Sequence, residues 1–210
     1  DQEVAQPAEA NFRSATTIAK QNNNVLWAKF QIRWAQLQKS RAYTAWRSNQ
    51  ATEFEAFGKS ARELADEALV ERGESLQAGE IRDATIIILS LTELRPDLAD
   101  EFRTAVDRAI NLSKRFTEDI PELEAEFHLR RSEYLMNRIV FDKADWNESK
   151  EDLAADIEFM QQHEKDLSPL FLKRTNLLSS LRTAFELSEK PTVSQAKEAI
   201  KQLNDAIDGA

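Results

Sequence analysis

Histidine is the side chain best suited to acid–base and metal chemistry near neutral pH, and this sequence has two, His128 and His163. A di-iron carboxylate bundle needs Glu three residues before His on two helices, so that both ligands point inward together. Position 125 is Ala and position 160 is Met, so neither His meets that requirement. Glu124 and His128, four apart, read as a pair of surface side chains. Asp145, Asn147 and Ser149 alternate like the start of a calcium loop. Its sixth and twelfth positions should be Gly and Glu and are instead Lys150 and Asp156. A helix cap accounts for that cluster better.

Other chemistries fail on similar grounds. Ser194 and Lys197 have the spacing of some acyl enzymes, but the companion motifs are missing. Gly58, Gly73, Gly79 and Gly209 lie too far apart to cradle a phosphate. There is no Cys, which removes disulfides, thiolate metal sites and thiol nucleophiles. Asp152 and Asp156 have the spacing of a carboxylate pair, yet read equally well as a solvated helix face. Asn147-Glu148-Ser149 matches a glycosylation acceptor, a pattern common by chance. No metal, no cofactor and no enzymatic activity are predicted.

Charge is distributed unevenly. The chain carries a formal charge of -9 and a pI near 4.9, which argues against non-specific nucleic-acid binding. Yet from Ala10 to Thr52 there is no acidic residue, while Arg13, Lys20, Lys29, Arg33, Lys39, Arg41 and Arg47 all fall there. Three of the four Trp, at 27, 34 and 46, share this segment. Its first reading is a central strut whose aromatic side chains enter the core and whose cations meet acidic neighbours. Its second is an interaction surface made of Trp27, Lys29, Arg33, Trp34, Trp46 and Arg47, where cations and rings act together on an acidic partner, an anionic ligand or a membrane surface.

Charged residues also fall on apolar stripes: Arg41, Arg130, Glu164 and Arg174. Groups so placed must pair or line a cavity. Ion pairs come first. If a small anionic ligand binds between helices, Arg41, Arg130 and Arg174 are the residues expected to hold it.

These side chains must be positioned by helices. Only 4 Gly and 5 Pro punctuate 210 residues, good helix formers fill the rest, and apolar residues recur at spacings of three and four. The longest apolar run, Ala84–Leu91, is far too short to span a bilayer, which takes about 20 residues. The first helix is predicted over 8–49, about 60 Å long, on a stripe of Trp27, Phe30, Trp34 and Leu37. The second runs from Thr52, with Glu55 in capping-box spacing, to Gly73. The third covers 79–94, where Ile86–Ile88 favour helix over an unpartnered strand. Pro96 and Pro121 open the fourth and fifth, each followed by acidic residues. A long sixth segment carries one stripe from Leu153 to Phe185. At Pro169 it either kinks or yields to a fresh helix capped by Ser168, and the continuous register favours the kink. A last helix covers 193–207.

The prediction is an all-α, elongated antiparallel bundle of about seven helices with long first and penultimate members. It reads as a single domain over 1–210, or as two stacked modules sharing the long helices, behind a flexible segment at 1–7. In outline this resembles the helical ligand-binding domains of bacterial chemoreceptors and sensor kinases, with no motif to carry the resemblance further. The expected function is a non-enzymatic binding module. It is expected outside the bacterial cytoplasm, periplasmic or anchored upstream, recognising a partner protein or a small anionic ligand. The alternative is a scaffold acting through helix–helix association, with homo-oligomers as its product.

Overall fold

A computed structural model describes residues 2–22, 24–93, 95–141 and 146–188. Among these residues the chain forms eight α-helices and no strand. It divides into two compact units, Asp1–Ser113 and Lys114–Ala210. No described α-helix is shared between them. The segment 1–7, expected to be a flexible lead, is helical from Gln2.

The predicted 42-residue first helix is two helices, α1 (Gln2–Asn22) and α2 (Asn24–Arg47). The Arg13 guanidinium lies 5.6 Å from the Trp34 ring and the Lys20 ammonium 4.9 Å from the Trp27 ring. In one continuous helix residues 13 and 34 would stand about 30 Å apart, so α1 folds back along α2. The sequence at the reversal is Gln21-Asn22-Asn23-Asn24, and asparagine competes with the helix by bonding its own backbone.

The helix α3 (Ala51–Arg72) makes the most extensive pairing in the first unit, with α2. Small residues permit it. Ala28, Ala35 and Ala42 recur every seven residues on α2 and are fully buried, as are Ala61, Ala65 and Ala68 on α3. Gln31 Nε2 donates to Glu67 Oε2 at 2.7 Å, and the Arg41 guanidinium sits 3.9 Å from the Phe57 ring. Pairing 31 with 67 and 41 with 57 makes the two helices run in opposite directions. Between them Asn49 takes φ 57°, a left-handed conformation that asparagine tolerates better than most residues.

Gly73 ends α3, but in a right-handed conformation that opens a 3-10 turn, Gly73–Ser75. It is glycine because of space: a Cβ there would lie 2.6 Å from Leu112 Cδ1. The helix α4 (Ala78–Thr92) buries Ile81, Ala84, Ile87, Ile88 and Leu91, so the isoleucine run is helical. Its N-terminal turn is fixed by Glu80, whose carboxylate accepts the Gln77 backbone N–H at 2.9 Å. Pro96 begins a 3-10 turn, Pro96–Leu98, that leads into α5 (Ala99–Ser113). Arg95 donates to Asp97 at 2.9 and 2.8 Å and also pairs with Glu55 of α3.

The described residues of the second unit include three α-helices, α6 (Pro121–Phe141), α7 (Trp146–Gln162) and α8 (Pro169–Ser188). The long sixth segment therefore breaks rather than kinks. A 3-10 turn at Glu164–Asp166 precedes Pro169, and the Ser168 carbonyl accepts the first helical bond of α8 from Leu172 N–H at 3.2 Å. Proline at the first helical position loses no hydrogen bond. Thr175 Oγ1 donates to Met160 Sδ at 3.4 Å, and Trp146 stacks on Phe185 at 5.8 Å. These pairs require α8 to return along α7. The helix predicted over 193–207, with Ser194 and Lys197, lies outside the described residues.

Candidate functional site

The C-terminal half of α2 is where the basic, aromatic character of the first unit reaches its surface. Gln36, Lys39, Ser40 and Tyr43 follow helical spacing along one face. With Asp83, Ile86 and Ile87 of α4 they line an open cleft of about 330 Å³. The Tyr43 hydroxyl donates to the Ser90 carbonyl at 3.3 Å, and the Lys39 ammonium lies 5.8 Å from the Tyr43 ring. One end of the cleft has a polar rim: Arg33 donates to Gln36 at 2.9 Å, and Gln36 donates to Asp83 at 3.3 Å. Beyond the other end, one turn past Tyr43, stands Trp46 at 64% exposure, next to the exposed Arg47.

The six residues proposed as an interaction surface therefore separate. Trp27 is 2% exposed and belongs to the core, which corrects its assignment to a surface. Trp34 is half-buried under Arg13. Lys29 pairs with Glu80 at 2.8 Å. Arg33, Trp46 and Arg47 are exposed. Helix phase decides this, because α1, α3 and α4 pack against α2 and leave only part of its surface open.

The three arginines suggested for a small anion do not assemble as a set within either unit. Arg41, in the first unit, packs on Phe57. Arg174, in the second, donates to Glu133 at 2.9 Å, the ion-pair outcome. Arg130 is half-buried on α6.

A buried polar cluster in the second unit was missed by the sequence reading. Asp156 of α7 is 0% exposed. Its carboxylate accepts Arg131 Nε at 2.9 Å and Nη2 at 2.6 Å, approaches His128 Nδ1 at 2.6 Å and accepts Ser132 Oγ at 3.3 Å. On the other side of the imidazole, Nε2 lies 3.8 Å from Glu124 Oε1, and Glu124 Oε2 accepts Thr117 Oγ1 at 2.6 Å. The ring stacks on Phe159 at 4.1 Å. Glu124 and His128 are thus buried, not surface partners, and Asp156 does not lie on a solvated face as Asp152 does. The signal was present: Asp156 stands in register with Leu153, Ile157 and Met160 on the apolar stripe.

Chemically this cluster is closed. Both Asp156 oxygens accept hydrogen bonds from the Arg131 guanidinium. Among the described residues no group of three or more His, Asp or Glu is placed to hold a metal ion, and no helix is long and apolar enough to cross a membrane. No protein family, curated protein or solved structure matches the chain.

Proposed function

We propose that this chain is a non-enzymatic helical binding module that recognises a partner protein through the C-terminal half of α2. One observation carries the reading: Trp46 is 64% exposed, beside Tyr43 and Arg47, on a helix without an acidic residue. Tryptophan, tyrosine and arginine are the residue types that dominate binding energy when a partner covers them. Small-molecule sites bury most of their ligand in concave, largely apolar pockets. The cleft beside Tyr43 is open, and two of the arginines suggested for an anion are engaged within their own units. A protein surface is therefore favoured over a small ligand. The setting we propose is extracytoplasmic, where a chain without cysteine has no thiol to oxidise.

Association between copies is a second reading, favoured by an acidic groove on α3 and α5 with Val70 exposed beside it.

The test is a photo-crosslinking side chain at position 46, with the exposed Glu151 position as control, in cells that naturally make the protein. A discrete covalent adduct from position 46 and none from 151 is the expected result. Absence of any adduct from 46 at natural abundance removes the reading. Trp46→Ala should change folding stability by less than about 0.5 kcal/mol, as surface substitutions do, so any loss of binding reports on the contact alone.

A further inference from the structure

The first unit carries a second surface whose character is the opposite of the α2 face. Between α3 and α5 run two adjoining open grooves of about 690 and 640 Å³. Their walls hold seven carboxylates, including Glu63, Glu71, Glu74, Asp100 and Asp107, against four cations. Three of those cations are committed within the unit, Arg62 to Glu101, Arg108 to Asp66 and Lys59 to Glu63, and Glu71 pairs with Lys20 of α1, so the groove keeps a modest acidic excess. Leu69 and Leu112 contribute apolar lining to the larger groove, and Val70 stands at its edge with 58% exposure.

We infer that this groove on one copy receives the Tyr43–Trp46–Arg47 face of a second copy. The inference rests on the reading of that face as the partner-binding surface and names its occupant. Three complementarities support it. The α2 segment is wholly basic in its charged residues, and the groove has an acidic excess. Trp46 and Val70 are large apolar groups left exposed on the two surfaces. A concavity of this volume is wide enough for an indole side chain, which the convex face presents. The net charge of -9 opposes association, but at physiological salt the Debye length is about 8 Å, so the local opposite charges outweigh distant repulsion.

Because the two surfaces differ, the contact is heterologous: each copy that docks its tryptophan still offers its groove. Such contacts generate rings or open chains of copies rather than a closed twofold dimer. With few exposed anchors the affinity belongs in the weak, micromolar range.

Sedimentation velocity from about 1 µM to about 500 µM brackets that range. The wild-type chain should show a sedimentation coefficient that rises with concentration past the dimer. The rise should shrink when NaCl goes from about 0.05 M to about 0.5 M. Trp46→Ala removes the projection and Val70→Asp spoils the groove edge. Both sites are exposed, and each variant alone should lose association tenfold or more while its circular dichroism is unchanged. Mixed together, the two variants retain one good projection and one good groove between them. They should form a one-to-one dimer that grows no further. A wild-type chain that stays monomeric throughout, or a mixture that never pairs, overturns the inference. A cross-link from position 46 to a different protein would then leave the partner-binding reading standing without self-association.

Discussion

Replacing Asp156 by alanine should remove the group around which the second unit's polar interior is organised. Its carboxylate is wholly buried and bonded to Arg131, His128 and Ser132. The alanine variant would leave the Arg131 guanidinium, 16% exposed, without the carboxylate that accepts its two hydrogen bonds, and His128 Nδ1 without its Asp156 contact. Removing one partner of a buried ionic group costs about 3–5 kcal/mol, because the remaining charge is left desolvated. Domains have only about 5–15 kcal/mol in total, so this is a large share. Hydrogen exchange resolves the effect by helix. At about 1.4 kcal/mol per tenfold, the slowest amides of α6 and α7 should exchange about 100- to 4,000-fold faster. Asp156→Asn, which keeps shape and some hydrogen bonding, should fall between this variant and the wild type. The same reasoning predicts the opposite sign when the cluster is removed whole. Replacing Glu124→Gln, His128→Leu, Arg131→Met, Ser132→Ala and Asp156→Leu together should be close to neutral or stabilising, since the buried charges of the cluster are removed with their partners. A loss of protection under about fivefold in Asp156→Ala, near 1 kcal/mol, would refute the view that these groups act as one buried network.

Three further outcomes follow from packing and charge in the first unit. Ala35→Leu places extra carbon atoms where α2 meets its neighbours with no space to spare and should cost about 1–3 kcal/mol, read as a lower urea midpoint; an unchanged midpoint would mean the α2 seam has slack. Gly73→Ala drives a methyl into Leu112 and should cost a similar amount, about 1–3 kcal/mol, partly recovered by adding Leu112→Val in the same chain. Hydrogen bonding from Arg95 holds the Asp97 carboxyl below its usual range. Its contribution to stability is therefore present above the unfolded carboxyl value of about 3.9 and is lost as the pH falls through the lower folded value. Asp97→Asn should make the decline of Tm between about pH 4 and pH 2 shallower; parallel curves for variant and wild type would discard this contribution.

Several features were legible because they depend on neighbours in sequence. Pro96, Pro121 and Pro169 each stand at a helix start or the turn that leads into one, since proline lacks the N–H that only a first turn can spare. Ile81, Ala84 and Ile88 of α4 and Leu123, Phe127, Tyr134 and Met136 of α6 are buried, and their spacing already places them on one side of each helix wherever it goes. The reversal near Asn22 was legible in principle. Neither glycine nor proline marks it, but a run of asparagine weakens a helix too. At Pro169 the continuous stripe misled, since a helix that folds back on its predecessor presents the same apolar register as one that continues.

By itself, then, the amino-acid order determined that the described chain is all helix, that its helices carry apolar stripes, and that its first fifth would be basic in an acidic protein. These are properties of local backbone preference and of charge, which need no distant contact. Only the tertiary structure decided that Trp27 is core while Trp46 is surface, because that depends on which sides of α2 are covered by α1, α3 and α4. It alone decided that Asp156 is a buried anion while Asp152, one turn away, is solvated. Burial of a carboxylate becomes tolerable only when a guanidinium and an imidazole from another helix arrive at the same point, and no spacing within one helix can specify that meeting.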